Sequence, residues 1–308
     1  MESAVLVSIL LSVIAASTPL LLAGIGELVV ERSGVLNLGV EGMMLVGAIA
    51  GFAVTYSSGS ASLGILAAAL GGMAMALVFA FLTLTLQANQ VATGLALTIF
   101  GIGLAAMMGA GFVGHPVPKL PGLDLPLLSA IPVIGPLVFG QDFLVYFSIA
   151  AVIGASWFLY RSHGGLVLRA IGDSHDAAHA IGYPVIRIRY LACLFGGAMS
   201  GLAGAYLSLS YTPMWAEDMS AGRGWIALAL VVFATWRPGR LLLGAYLFGG
   251  ITILQFHVQT MGLGIPPQFV SMLPYLATIL VLCAISSDAT RIRLNAPACL
   301  GRPFHAAG

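Results

Sequence analysis

Long apolar runs divided by short polar breaks set the pattern of this chain. The runs fall at 4–24, 42–57, 62–86, 91–110, 143–160, 188–210, 224–236, 238–257 and 268–286. Most approach the roughly 20 apolar residues that a helix needs to cross a bilayer. None alternates with the period of two that marks a membrane β-barrel. Residues 25–41 differ: Glu27, Glu31, Arg32, Asn37 and Glu41 are interspersed with Gly26, Gly34 and Gly39. This region is too charged for a plain span and too apolar for a plain loop. The pattern predicts an all-α integral membrane protein, a polytopic bundle of about 9–10 transmembrane helices with a broken membrane segment near 25–41. A single transmembrane domain covers 1–308, with a polar loop at 161–189, a Pro-rich loop at 111–142 and a tail at 287–308.

The loop at 161–189 carries the punctuation of a short helix. Asp173 is read as its N-cap, with Asp176 three residues on as in a capping box. Gly182 supplies the left-handed residue after the helix, and Pro184 blocks its continuation. Leu168, Ile171, Ala178 and Ile181 form an apolar stripe. Such a helix is too short to be stable alone. It is either an element that docks against something or an ordinary solvated loop on the membrane surface.

Composition agrees with the pattern: 59% of residues are hydrophobic and 7% charged, against roughly 25% charged in soluble domains. The 39 glycines suit close helix packing, and the pairs Gly47/Gly51 and Gly197/Gly201 are read as helix contacts. Lysine and arginine give the orientation. With 161–189 on the inner face, Arg161, Arg169, Arg187, Arg189, Arg237, Arg240, Arg291, Arg293 and Arg302 all lie inside, Lys119 and Arg223 fall outside, and Arg32 is assigned to neither face. Counting 25–41 as a crossing gives ten spans and an inner N-terminus; without it there are nine and the N-terminus is outside. Ten is the expectation. Residues 4–24 are read as a retained first span rather than a cleaved leader. The net charge of +1 is spread over loops and points to no nucleic acid.

The residues that bear chemistry do not compose an enzyme. Lys119, the sole lysine, lies between prolines, so there is no phosphate-binding loop. HExxH and CxxC are absent, and the six histidines suggest no metal. Cys193 and Cys283 sit in apolar spans and Cys299 in the tail. What stands out is polarity near the membrane. Asn37 and Glu41 line either a solute path or an interfacial turn; Glu27 and Glu31 form either part of that path or an internal ion pair with Arg32. Asn89, Gln90 and Thr93 are uncharged groups suited to a neutral polar solute, or else a plain inner turn. Trp215 has a ring able to stack on a sugar or base, or belongs to an aromatic belt.

Three stretches together resemble a known family. Glu31-Arg-Ser-Gly-Val-Leu-Asn-Leu-Gly-Val-Glu-Gly42 is similar to the signature of permease subunits of bacterial ATP-binding cassette (ABC) importers for simple sugars and nucleosides. Arg169-Ala-Ile-Gly-Asp-Ser-His-Asp-Ala-Ala-His-Ala-Ile-Gly182 resembles the coupling segment of that family and of its branched-chain amino-acid relatives. Gly222-Arg-Gly-Trp-Ile-Ala-Leu-Ala-Leu-Val-Val-Phe-Ala-Thr-Trp-Arg-Pro238 resembles a third stretch, except that Phe233-Ala-Thr-Trp236 stands where a glycine-containing turn is expected. The resemblance covers about 20–285. It implies a multi-pass protein of the bacterial inner membrane that holds no cofactor and catalyses no covalent step. It implies cytoplasmic ATPase subunits that receive Arg169, Ala170, Gly172, Asp173, Asp176, Ala177 and Gly182. A second permease, identical or homologous, and a periplasmic or lipoprotein solute-binding protein complete the set, all within membrane lipid. The competing readings are a permease of the same superfamily for branched-chain amino acids, a self-contained ion-coupled carrier built on Glu27, Glu31 and Glu41, and a channel or scaffold that needs no energy.

Overall fold

The computed structural model describes residues 2–123, 135–260, 266–273, 276, 277, 279, 280 and 295–305. The described residues are overwhelmingly helical: α1 (Glu2–Arg32), α2 (Val40–Ser58), α3 (Ala61–Ala80), α4 (Gln90–Gly109), α5 (Phe143–Arg161), α6 (His163–Asp173), α7 (His175–Ala180), α8 (Val185–Tyr206), α9 (Arg223–Phe233), α10 (Pro238–Thr260) and α11 (Pro267–Ser271). Five-residue π-turns extend α3 through Thr85 and α8 through Tyr211. Seven of these helices are long and apolar enough to cross a membrane.

Helix α1 is the axis of the bundle. It is apolar all round, as a helix enclosed by others must be, and Leu21, Leu22, Ala23, Ile25 and Leu28 have no exposed surface. Helices α5, α8, α9 and α10 pack around it. Small residues let the backbones approach. A side chain at Gly47 would run into Gly201 of α8, and one at Gly201 would run into Ala68 and Gly72 of α3. Gly197 sits likewise against Gly72 and Ala76. In lipid this close packing replaces the hydrophobic drive that assembles soluble helices. The leucine-rich outer sides of α3 and α10 are left to the acyl chains, with Leu70 54% and Leu243 71% exposed.

The break expected over 25–41 is narrower than the sequence suggested. Helix α1 runs unbroken through Glu27 and Glu31 to Arg32, and the irregular piece is only 33–39. Asn37 N donates to Glu27 Oε1, so the chain climbs back beside α1 by five residues, about 7 Å of helix, before α2 begins. Residues 33–39 are therefore a turn dipping into one face, not a crossing. The Arg32 end of α1 shares that face with 161–189, where Gly172 packs on the Arg32 carbonyl; with the inner face assigned from lysine and arginine as above, the opposite end of α1 lies at the outer face. Residues 25–41 thus add no crossing of their own, and on that assignment the N-terminus lies outside.

The expected span at 224–236 is corrected as well. Trp215 packs on Gly109, at the outer end of α4, whereas Gly42, next to Glu41, packs on Thr98 near the middle of α4. The eleven residues between them are about 16 Å of helix. Gly222 and Gly224 bond to Glu41. The chain thus descends from the outer face to mid-depth as irregular backbone, and α9 finishes the crossing. Arg223 consequently sits at mid-depth rather than on the outside. In the outer loop, 111–123 makes short extended contacts with 209–215, where Val117 N donates to Pro213 O and Leu120 N to Leu209 O. Pro126, Pro132, residues 274, 275, 278 and 281–286 of the span at 268–286 (Cys283 among them), Arg291 and Arg293 lie outside the described residues.

The packing analysis yields a test. Gly201→Val is expected to cost about 2–3 kcal/mol through overpacking, read as a lower unfolding midpoint in detergent. Gly103→Ala, where an added methyl meets nothing within 4 Å, is expected to be neutral or stabilising by up to about 1 kcal/mol.

Candidate functional site

The first part of the site is the centre of the bundle, where two helices begin at one carboxylate. Glu41 lies in the first turn of α2 and is 3% exposed. Its Oε1 accepts from Ser220 Oγ at 2.5 Å and from Gly222 N at 2.8 Å, and its Oε2 accepts from Gly224 N at 2.6 Å. The first N–H groups of α9 have no partner within their own helix, and water does not reach them in lipid. A carboxylate satisfies them and meets the positive end of the helix dipole. Gly224 is glycine because a side chain there would strike Glu41, and Gly222 takes φ of 80° to turn the chain into α9.

The polar residues proposed for a solute path are mostly occupied by the protein. Asn37 Oδ1 accepts from Gly39 N at 2.9 Å, an Asx turn that leads into α2. Gln90 Oε1 accepts from Leu36 N at 2.8 Å. Asn89 is exposed and caps α4 by accepting from Ala92 N, while Thr93 is half-buried. Trp215 is 1% exposed and packed on α4, not open to stacking. Exposed at the broken crossing instead are Glu217, Asp218 and Ala221, with Arg223 half-buried and its guanidinium 5.3 Å from the Tyr211 ring centre.

The expected ion pair of Arg32 with Glu27 or Glu31 does not form. Arg32 donates to Trp236 O through Nε at 3.2 Å and Nη2 at 3.0 Å, to Asn295 O at 2.9 Å and to Tyr160 Oη at 3.5 Å. Glu31 accepts instead from Trp236 Nε1 at 2.5 Å. Glu27, Glu31 and Glu41 accordingly hold three different pieces of backbone or side chain.

The second part of the site is the face that carries 161–189, the inner one on the lysine and arginine assignment. The loop at 161–189 folds as two helices. Ser162 caps α6, accepting from Gly165 N at 3.0 Å, and Ser174 caps α7, accepting from Ala177 N. Asp173 closes α6 rather than capping α7, and Asp176 makes no capping box, because the break in helical backbone falls one residue later at Ser174 (φ −153°, ψ 94°). The end of α7 is as expected: Gly182 has φ of 93°, its N donates to His179 O, and Tyr183 N donates to Ala178 O, a Schellman motif. Leu168, Ile171 and Ala178 are buried, but Ile181 is 73% exposed. Ala170, Asp173, Asp176, Ala177 and Gly182 face outward, with Arg169 half-buried above the Tyr160 ring. Gly172 is buried instead, close against the Arg32 carbonyl.

What holds this inner element is a brace that the sequence reading missed. Cys299 N donates to Gly172 O at 2.8 Å and Gly301 N to Gly34 O at 3.1 Å. Gln87 Nε2 donates to Phe304 O, and the Phe304 ring packs edge-on against His175 and His179. Arg189, with no exposed surface, donates to Ser33 O at 3.1 Å and sits 3.1 Å from His175 Nδ1. Tail residues 295–305 thus tie α6 and α7 to the α1–α2 turn. The arginines in the first turns of an apolar helix, Arg187 and Arg189, were the available clue.

Burial and the neighbouring Arg189 cation lower the His175 pKa from its ordinary value, while Asp176 at 3.6 Å opposes them. The bonding shows why: Nδ1 must stay unprotonated to accept from Arg189.

A bundle of membrane-crossing helices with a broken helix at its centre and a braced helical element on its inner face defines a polytopic membrane permease. The chain belongs to the permease family described as the branched-chain amino acid transport system permease component, whose model matches residues 9–282. It is 42% identical to the putative glucose ABC transporter permease protein TsgC13 of Haloferax volcanii, over 94% of this chain and 95% of that one. It is 32% identical to the nucleoside ABC transporter permease protein NupC of Lactococcus lactis (89% and 90% covered), and 29% identical to the guanosine ABC transporter permease protein NupQ of Bacillus subtilis (94% and 93% covered). It is a transport component of the membrane, not an enzyme.

Two outcomes follow from the geometry. Glu41→Ala leaves three donors unpaired at mid-depth and is expected to cost at least about 3 kcal/mol, measured by thermal unfolding; Glu41→Gln, which keeps one acceptor oxygen, costs less. For His175 the folded state favours the neutral ring. Its contribution is present above the unfolded pKa of about 6.5 and is lost as pH falls toward the lowered folded value. Hydrogen exchange of α7 and the tail is expected to speed up as pH falls below about 6.5, and His175→Gln to flatten that profile.

Proposed function

We propose that the chain forms the solute pathway of an ABC importer for a neutral, hydroxyl-rich solute, a simple sugar or a nucleoside, and takes its drive through α6–α7. The carrying observation is the broken crossing at 212–233. Irregular backbone is stable at membrane depth only where it is enclosed in protein or lines a wet cavity, and Ala221 is exposed there beside half-buried Arg223. A half-helix starting at mid-depth is a recurring way to place polar groups on a transported solute. The named solutes of the relatives, glucose, nucleoside and guanosine, support the substrate class.

The coupling role rests on the inner face. The outward residues of α6–α7 form a surface for separate ATPase subunits, and the buried Gly172, Arg189 and tail make it move as one piece with the α1–α2 turn. ATP binding by those subunits draws the element inward, and the central cavity switches sides. A second permease and an extracytoplasmic binding protein complete the assembly. Labelled glucose and labelled guanosine uptake in a strain lacking the chain test the class: one is expected to fall at least tenfold, and unchanged uptake of both overturns it. Asp173→Arg, on the exposed face, is expected to insert normally while ATP-driven uptake drops at least tenfold. Normal uptake with normal ATPase co-purification would contradict the coupling surface.

A further inference from the structure

A groove between α5 and α8 belongs to neither part of the site. It holds about 650 Å³ and is lined by Val29 of α1, Ala151, Gly154 and Phe158 of α5, and Leu191 and Phe195 of α8, among other apolar residues. Its only polar side chains are His163 and Tyr183, whose rings lie 6.4 Å apart at the inner end. The volume falls within the roughly 300–1,000 Å³ of small-molecule sites. A sugar or nucleoside would lose its hydrogen bonds to water here and gain almost none, so the groove is no solute path.

We infer that this groove binds one acyl chain of an anionic phospholipid of the inner leaflet, with the headgroup at Arg161 and Arg187. Along α8 the lining runs from Ile188 to Met199, about 16 Å of helix. Half of a hydrocarbon core roughly 30 Å thick is about 15 Å, so the groove matches one leaflet in length. Its α8 side is apolar throughout, and two arginines adjoin its inner end in sequence. Arg161 precedes His163 by two residues and Arg187 immediately precedes Ile188. Both arginines are exposed, and neither has a carboxylate partner among the described residues. An inner-face cation beside an apolar slot fits a phosphate diester with a negative headgroup better than a zwitterionic one.

The test uses the full chain in mild detergent, with non-denaturing mass spectrometry and titration by phosphatidylglycerol and phosphatidylcholine of equal chain length. One retained phospholipid is expected, with phosphatidylglycerol favoured about 25-fold, from roughly fivefold for each of the two surface cations. The double variant Arg161→Gln, Arg187→Gln is expected to bring that ratio near one. At Gly154 an added side chain meets open space, so Gly154→Leu is expected to fill the groove and lower retention at least tenfold with helix content unchanged. Ala151→Phe serves the same purpose from the adjacent turn. Equal retention of the two lipids in the wild type overturns the inference, as does full retention in both groove-filling variants. A change of oligomeric mass in those variants, with lipid unchanged, also overturns it and makes the groove a contact between copies. If neither filler folds, the lipid ratio in the arginine pair decides.

Discussion

One carboxylate accepting three protein donors lets a helix begin where water does not reach. Without Glu41, the stretch from Ser220 to Gly224 would present unpaired N–H and O–H groups at mid-depth, and each carries a desolvation cost of about 1–3 kcal/mol. With it, α9 needs only half a membrane of length. The consequence runs outward in both directions. The descending backbone above α9 keeps polar groups exposed at depth, and the foot of α9 comes down beside Arg32. Glu41 also belongs to the first turn of α2, so the two helices share an origin and any shift of one is felt by the other.

The same rule explains the inner face. A short helix pair has too little apolar surface to hold itself, so its position is set by what its backbone and buried groups bond to. Gly172 O, Ser33 O and Gly34 O each receive a donor from a distant part of the chain: Cys299, Arg189 and Gly301 respectively. These three bonds join four segments that are separated in sequence by up to about 270 residues. A lever that transmits force needs such cross-links, since a loop tied only at its two ends would absorb a push by bending.

Much of the fold was legible because apolar runs of membrane length have few alternatives. The Schellman end at Gly182 and the contacts of Gly47 and Gly201 were read from single residues for the same reason: only glycine permits that φ or that approach. The errors share a cause. The N-cap of α7 shifted from Asp173 to Ser174 because both residues cap well and only the backbone of α6 decides between them. Asn37, Gln90 and Trp215 looked free because their partners are backbone groups or small residues, which leave no mark in composition. The tail escaped notice because Asn295, Cys299 and Phe304 bind through main-chain atoms and a ring edge, for which no motif exists.

The departure from the family pattern at Phe233-Ala-Thr-Trp236 now has a physical account. Thr235 and Trp236 both take positive φ, 50° and 53°, conformations that cost a residue with a side chain roughly 1–2 kcal/mol each. Glycines would avoid that cost but would forfeit what these side chains do. Thr235 Oγ1 accepts from Arg240, Trp236 Nε1 donates to Glu31, and the Trp236 carbonyl takes two donors from Arg32. The strained turn therefore clamps the foot of α9 to the end of α1. Because Arg32 also reaches Tyr160, over whose ring Arg169 lies, the clamp is continuous with the coupling element. A flexible glycine turn would join α9 to α10 equally well. It would not join both of them to the helix on which α6 and α7 are braced.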